Sequence, residues 1–285
     1  MAMDPFTWSH WYAIGRLEDV PEGGTRKTRL LGIDIVAHRS SGEVTVERVE
    51  DHAPLAVQER YGHVWTTFSD EPKPLYDMPE FDEDGRRLVT AGCVTVRCSG
   101  LRAVENFLDM AHFPFVHTGI LGEEDHAEVE QYCVEMRADV NEVWATKCRF
   151  YQPKAAATAE GGQMTHYKYR VPHPFSTILY KTCPIREGAW DLVGLFIQPR
   201  DEDLCDVHSF VLVFDEENTD TGLLHFQQTI FLQDRMILEN QVPALLPLDP
   251  RRELPTRADA SSIAYRRWLK ENGQSFGVLA EEAVG

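Results

Sequence analysis

The sequence is short of positive charge. Its 285 residues contain 28 lysines and arginines against 46 aspartates and glutamates, which gives a formal net charge of −18 at pH 7. A surface with this excess of acids repels phosphate backbones and anionic lipids. The composition therefore argues against nucleic-acid binding, and solubility is the expected role of the negative charge.

Long hydrophobic runs and paired cysteines are also missing. No segment approaches the roughly 20 apolar residues of a membrane-spanning helix, and the N-terminus lacks the charged-then-apolar pattern of a signal peptide. The six cysteines form no Cys-x-x-Cys pair, so we expect reduced thiols in a cytoplasmic protein. Residues 1–7, MAMDPFT, read as a leader added for expression.

Turn residues and hydrophobic alternation divide the rest of the chain into three parts. Residues 8–68 are mostly strand and form a small β unit. Residues 69–85 are rich in proline and acids and read as a linker. The third part, residues 86–285, should contain a strand, a helix over 101–112, strands from about 126 to 232, and helices over 233–245 and 257–272. The expected fold class is α+β, a long antiparallel sheet with helices on one face.

The segment ENFLDMAHFPFVHTG concentrates residues that bind metals. It contains Asn106, Asp109, His112 and His117. An ideal helix would turn the two histidines apart, but Pro114 between them should break the helix and let both imidazoles reach one point. Asp109 should share a helical face with His112 and accept a proton from the free nitrogen of a ligand histidine. The segment thus predicts two metal ligands and a carboxylate that orients one of them.

Two histidines need a third ligand, and Asp234 is our candidate. Two histidines and one carboxylate, with open coordination positions, suit a non-haem Fe(II) that activates dioxygen. Asp234 lies in FLQDRMILENQ, at an expected strand-to-helix junction. An acid at such a junction is equally well placed to cap the helix, so both interpretations stay open.

These residues resemble the mononuclear-iron motif in the α subunits of Rieske non-haem iron oxygenases. Asn106, Asp109, His112 and His117 match the family's asparagine, bridging aspartate and two iron histidines, and QDRMILENQ resembles the segment with the third ligand. The closing ASSIAYRRWL is similar to the demethylase branch of the family. The resemblance implies a helix-grip, or START-like, sheet for the catalytic domain and a trimer-based oligomer.

The chain departs from the family where the Rieske cluster should be. The family holds its two-iron, two-sulfur cluster with Cys-x-His and Cys-x-x-His, but no cysteine occurs between Arg39 and Pro54. Cys205 and His208 have the second spacing, but they lie in an expected strand, where residues three apart face opposite sides. We therefore expect residues 8–68 to be a truncated Rieske-type unit with no cluster. Loss of the cluster loops should expose strand ends and apolar surface for a partner to cover.

The resemblance also implies an activity, a cofactor and partners. The implied reaction is N-demethylation of a methylxanthine, in which 7-methylxanthine and dioxygen give xanthine and formaldehyde. His112, His117 and Asp234 would hold Fe(II), Asp109 would conduct electrons to it, and Asn106 would orient the site. The electrons would come from a separate Rieske-containing reductase, and a glutathione-transferase-like structural subunit is a further implied partner.

The small purine substrate should bind beside the expected strand that precedes Asp234, in an apolar slot with a few aimed polar groups. The candidate contacts in that strand are His225, Gln227 and Gln228. For each of them, an ordinary strand residue is the alternative interpretation.

Other functions remain open at this point. The chain could be a non-catalytic subunit that only binds a partner, although it keeps the whole motif. It could be an oxygenase for another small aromatic substrate. It could also be a zinc hydrolase, but only Asp109 is placed as a general base for that chemistry.

Overall fold

The computed structural model describes residues 3–154, 161–215 and 217–280, which form two antiparallel sheets and five α-helices. The first sheet has the strand order β1-β6-β5-β4-β3-β2. Its strands are β1 Tyr12–Arg16, β2 Thr25–Leu30, β3 Ile33–Ser40, β4 Glu43–Arg48, β5 Pro54–Arg60 and β6 His63–Thr67. Residues 8–68 are mostly strand, as expected, and a turn at Leu31 and Gly32, both with positive φ, separates β2 from β3.

The second sheet has seven strands in the order β7-β13-β12-β11-β10-β9-β8, all paired antiparallel. Its strands are β7 Arg87–Val96, β8 Cys133–Arg137, β9 Glu142–Gln152, β10 Gln163–His173, β11 Ser176–Thr182, β12 Trp190–Asp201 and β13 Leu204–Val213. The long antiparallel sheet expected from the sequence is therefore confirmed. Cys205 and His208 are both buried in β13.

The two faces of the second sheet have different coverings. Ile178, Tyr180 and Phe196 on one face pack with Tyr61 and Trp65 of the first sheet in one apolar cluster. Side chains alternate between the faces of a strand, so residues such as Leu179 and Leu195 point the other way. That opposite face carries the helices, which agrees with the expected α+β arrangement.

The helices are α1 Pro5–Trp8, α2 Gly100–Leu108, α3 Phe113–Val116, α4 Asp220–Leu238 and α5 Ala260–Glu271. Within the described residues, no helix is long and apolar enough to cross a membrane. Helix α5 confirms the helix expected over 257–272. The first turn of that expected helix, Arg257–Asp259, has a 3₁₀ conformation.

Helix α4 corrects two expectations. The segment LLHFQQTIFL was predicted to be a strand, and that prediction is wrong. Helix α4 begins after its N-cap Thr219 and includes the whole segment. The apolar residues Leu223, Phe226 and Ile230 recur at helical spacing. The helix also ends at Leu238, well before the predicted end at 245. Asp234 is thus an interior residue of α4, and the capping interpretation does not hold.

The first sheet does not expose the apolar surface that loss of the cluster loops was expected to leave. Residues 49–53 join β4 to β5 in a short turn. Among the described residues 8–68, Val49 is the one exposed large hydrophobic side chain, at 38% exposure. Residues 69–85 form no strand, and Met78 from this segment is buried against the first sheet, where its N–H donates to Tyr61 Oη at 2.9 Å.

Candidate metal centre

The motif forms its site through a break between two helices. Helix α2 ends at Leu108, and Asp109 has an extended backbone with φ −87° and ψ 124°. Pro114 lies in the first turn of α3, where a proline costs no hydrogen bond. The predicted break is therefore present, but it comes before Pro114. His112 and His117 flank the single turn of α3 and so face each other.

Three possible ligand atoms meet in the space between α3 and α4. His112 Nε2 lies 3.1 Å from His117 Nε2, and Asp234 Oδ1 lies 3.3 Å and 3.0 Å from these two nitrogens. Ligand atoms bound at about 2.1 Å and at right angles around one ion would be about 3.0 Å apart. The arrangement thus fits a single metal ion held on one side, with the opposite side free for other ligands.

Each histidine is oriented through its other ring nitrogen. His112 Nδ1 lies 3.2 Å from Asp109 Oδ2, and His117 Nδ1 lies 2.8 Å from Gln233 Oε1. An acceptor at Nδ1 fixes the proton there and leaves the lone pair of Nε2 for a metal. The prediction that Asp109 reaches His112 from a shared helical face is wrong in its geometry. Asp109 instead reaches it from the extended segment, held by the N–H of Ala111 at 2.7 Å.

The site favours a cation electrostatically. Burial alone would lower the pKa of His112, but its bonds to Asp109 and Asp234 raise it to about 9. Burial would raise the pKa of Asp234, but His112 and His117 lower it to about 2. Asn106 donates a further hydrogen bond to Asp234 Oδ1 at 2.9 Å. The site therefore holds a carboxylate whose negative charge a divalent ion would neutralise.

A cavity opens directly onto these ligand atoms. Its floor is the inner face of the second sheet, and its roof is α4 with the α2–α3 segment. Half of the lining residues are aliphatic or phenylalanine side chains, namely Phe107, Phe113, Leu121, Leu179, Val193, Leu195, Phe226, Ile230 and Phe231. A small molecule in this cavity would lie between hydrophobic walls. The three candidate metal-binding atoms of His112, His117 and Asp234 would be at one side of it.

The three candidate substrate contacts lie on α4, not on a strand, and their positions differ. Gln227 lines the cavity. His225 is exposed. Gln228 points to the sheet edge, where its amide donates to the carbonyl oxygen of Ala91 at 2.9 Å. Gln227 is therefore the member of this group that the structure brings to the cavity.

A second groove reaches the same centre from outside. Asn106 and His112 line both spaces, and Asp109 lines only the groove. The groove is flanked by Ile237 of α4 and by Leu254, whose side chain is 96% exposed. The centre thus lies in a wall between an inner cavity and an outer, partly apolar groove.

Gln233 belongs to this site but was not among the predicted site residues. The residue lies next to Asp234, and its side chain reaches His117 because consecutive residues of a helix are only about 100° apart. Once the segment is recognised as a helix, this neighbourhood could be found from the sequence. The predicted helix over 233–245 already contained both residues, but a glutamine beside a candidate ligand has no pattern that marks it as part of a site.

The comparisons with known proteins agree with this geometry. Residues 96–274 match the model of the vanillate O-demethylase oxygenase C-terminal domain. The chain belongs to the family of Rieske-type oxygenases, and it is an oxidoreductase of the monooxygenase type. Its resemblance to that family, expected from the motif, is thereby confirmed.

One relative is similar over nearly its whole length. The chain is 47% identical over 276 residues to the probable methylxanthine N7-demethylase NdmC of Pseudomonas sp. (strain TJI-51), covering 97% of this chain and 98% of the relative. It is 27% identical to the methylxanthine N1-demethylase NdmA of Pseudomonas putida, over 75% of this chain and 59% of that protein.

Solved structures share the fold. NdmA from Pseudomonas putida CBB5, as its QL mutant with theobromine, superposes with a TM-score of 0.75 at 17% identity, covering 93% of this chain and 90% of that one. Dicamba monooxygenase bound to dicamba gives a TM-score of 0.73 at 14% identity, covering 94% and 97% of the two chains. At these identities the likeness establishes the architecture alone.

Proposed function

We propose that this chain is the oxygenase component that removes the N7 methyl group of 7-methylxanthine, giving xanthine and formaldehyde. The observation that carries the proposal is the convergence of His112, His117 and Asp234 at one side of an apolar cavity. The 47% identity to a relative named as a methylxanthine N7-demethylase supports the choice of substrate.

In this proposal His112, His117 and Asp234 hold one Fe(II). When bound, the iron supplies dioxygen activation, which purely organic side chains do not provide. The chain's own residues set the geometry. Asp109 and Gln233 fix the protons on Nδ1 of the two histidines, and Asn106 holds Asp234 through its hydrogen bond. The metal would therefore meet three ligand atoms that are already oriented.

The overall reaction inserts one oxygen atom of dioxygen into a methyl C–H bond of the substrate. The other oxygen atom leaves as water, using two electrons and two protons from outside. The hydroxymethyl group then separates from nitrogen as formaldehyde, and the nitrogen keeps a proton. Because the hydroxymethyl group is unstable on nitrogen, the chain needs only to position the methyl group and exclude bulk water.

The residues that line the cavity suit a flat bicyclic ring. Its aromatic and aliphatic walls can stack on the faces of a purine, while a few polar groups meet its edge. Gln227 precedes Asp234 by seven residues on α4, which places the two about 10 Å apart along the helix axis. A purine with its N-methyl group at the metal would extend toward Gln227, whose amide can pair with a ring carbonyl.

Electrons would come from a Rieske cluster on a separate reductase, docked over the outer groove. Asp109 lines this groove and contacts His112, so it offers a short path from the donor to the metal. Three large apolar side chains that line this groove are exposed to solvent. They are Ile237, Leu254 and Ile263. Such a surface is typical of a protein interface.

The remaining organisation belongs to the same proposal. Residues 8–68 represent a truncated Rieske-type unit without cluster ligands, residues 69–85 a linker, and residues 86–285 the catalytic domain. A glutathione-transferase-like structural subunit and a trimer-based assembly are the further partners that we propose from family resemblance.

A peroxide-driven assay tests this function without the reductase. The chain is loaded with Fe(II) in the absence of oxygen, then mixed with hydrogen peroxide and 7-methylxanthine, and formaldehyde is measured. Peroxide supplies both oxygen and electrons, so we expect formaldehyde in proportion to bound iron. Asp234→Ala should abolish it, whereas Asp220→Ala, at the exposed start of the same helix, should not.

Other outcomes would separate the alternatives. Iron at about one per chain with no formaldehyde would keep the metal centre and refute the substrate. No iron and no formaldehyde would favour a partner-binding subunit. Preferential binding of zinc, with a hydrolytic activity lost in Asp234→Ala, would favour a hydrolase.

A further inference from the structure

The sheet side of the cavity carries polar side chains that the reaction described above does not use. Gln152, Tyr167, Lys181 and Ser209 line the cavity from four different strands. Gln152 Oε1 is buried and has no hydrogen-bond partner among the described residues. Buried polar atoms normally have a partner. A ligand with polar atoms on the edge that faces the sheet would supply one.

Lys181 adds a basic group to the polar side chains on this cavity floor. In the register of the sheet it lies between Tyr167 of β10 and Asp191 of β12. Burial lowers the pKa of Lys181 to about 8, against the opposing effect of Asp191. Because Lys181 lines the cavity, a ligand atom that accepts a hydrogen bond can bond to its amine, and more strongly if that atom carries negative charge.

Purine diones differ in the groups that they offer to such an amine. A ring N–H between or beside two carbonyl groups is weakly acidic, because its anion is delocalised over the carbonyl oxygens. A methyl group on that nitrogen removes the acidity and adds bulk. On the six-membered ring, 7-methylxanthine keeps two N–H groups, theobromine keeps one, and caffeine has none.

We propose that Lys181 determines specificity, by bonding the carbonyl and imide edge of the six-membered ring and so favouring purine diones that keep ionisable N–H groups. The inference deepens the proposed function and rests on it. With the N7 methyl group at the metal and one carbonyl near Gln227, the remaining polar edge meets the sheet at Lys181. The residue would thus set both the orientation of the ring and the degree of methylation that the cavity accepts.

Equilibrium binding tests this role without turnover. The full chain is loaded with Fe(II), kept free of oxygen, and titrated by calorimetry with 7-methylxanthine, theobromine and caffeine. We expect the dissociation constants to rise in that order, by at least about tenfold from the first to the last. Lys181→Met keeps most of the aliphatic stem and removes the amine, and it should bring the three constants to within about threefold of one another.

A matched lysine controls for general effects. Lys168 lies on β10 opposite Tyr180, on the other face of the sheet, with Nζ 4.1 Å from the centre of the Trp190 ring. Lys168→Met should keep the wild-type order of the three ligands. Iron content reports folding for every variant. If Lys181→Met loses iron, Lys181→Gln gives the same comparison with a side chain that remains polar.

The outcomes distinguish this inference from the function on which it rests. If the wild-type chain binds the three purines equally, or if Lys181→Met keeps the wild-type order, Lys181 has only a structural role and the inference is overturned. If the wild-type chain binds none of them, the proposed function is overturned together with it.

Discussion

Gln233 accepts a hydrogen bond of 2.8 Å from Nδ1 of His117, the same ring whose Nε2 lies 3.0 Å from Asp234. Two adjacent residues of α4 therefore act on opposite nitrogens of one imidazole. Gln233 fixes the proton on Nδ1. Asp234 lies beside Nε2, on the side of the ring where a metal would bind. Because Gln233 and Asp234 are adjacent in α4, the orientation of His117 depends on the same helix that positions the Asp234 carboxylate.

The first prediction concerns this bond. Gln233→Leu should weaken Fe(II) binding by about 10- to 100-fold, because His117 loses the acceptor that fixes its tautomer and ring orientation. Competition with a chromophoric chelator measures the affinity directly. Gln228→Leu, in the same helix but bonded to Ala91, should leave iron affinity unchanged. Equal affinities for wild type and Gln233→Leu would show that the bond is not needed.

The second prediction concerns the cavity wall. Gln227→Leu should raise KM for 7-methylxanthine about tenfold in the peroxide-driven assay, because a ring carbonyl would lose its donor inside an apolar slot. The turnover number at saturation should change much less, since the metal ligands are untouched. His225→Leu is the control from the same helix, and its exposed side chain should not affect KM. An effect of His225 equal to that of Gln227 would contradict the proposed pocket.

The third prediction concerns acid stability. Burial lowers the pKa of His10 to about 3 and of His63 to about 4, and it holds His173 and His208 well below their ordinary values. Below about pH 6.5 the unfolded chain binds protons that these buried rings do not. The free energy of unfolding should therefore decrease as pH falls toward 4, by about 1.4 kcal/mol per pH unit for each such histidine.

Urea unfolding at pH 7.5 and 5.5 checks this dependence. His63→Gln, which keeps a donor for the Tyr61 carbonyl, should make the decrease shallower by the share of one histidine. His52→Gln serves as the exposed control and should keep the wild-type slope. A slope that is the same in wild type and His63→Gln would mean that His63 titrates normally in the folded chain.

The fourth prediction concerns the outer groove. Ile237→Asp and Leu254→Asp should each slow turnover driven by the Rieske-containing reductase by about tenfold, because a charge replaces apolar contact in the interface. Turnover driven by peroxide should stay at the wild-type rate in the same variants. Val49→Asp places the same charge on the exposed apolar residue of the first sheet. If only Val49→Asp slowed the reductase reaction, the donor would dock on the first sheet instead.

The sequence predicted the sheets better than it predicted α4. Strand β9, EVWATKCRFYQ at Glu142–Gln152, lies within the run of strands expected from about 126 to 232, because hydrophobic alternation and turn residues mark strands of this kind. The segment before Asp234 contains Phe226, Thr229, Ile230 and Phe231, which favour strands when judged locally. Packing against β7 and the cap from Thr219 make it helical instead. Tertiary contacts of this kind are not visible in a single sequence.

The same limit applies to the site. The motif from Asn106 to His117 predicted which residues would meet, because their chemistry and spacing are specific. It did not predict that Asp109 approaches from an extended segment, since that depends on where α2 ends. Gln233 and Lys181 were missed because a glutamine and a lysine in single strands or helices have no distinctive pattern. Gln233 and Lys181 reach the site only because elements that are distant in the sequence pack together in the fold.

The position of His112 between the inner cavity and the outer groove has a kinetic consequence. In the proposed function, a substrate occupies the inner cavity and a protein donor covers the outer groove, so the two occupy different spaces. Their binding would then be possible in either order. Saturating one reactant should therefore leave the apparent affinity for the other unchanged, in contrast to an arrangement with a shared entrance.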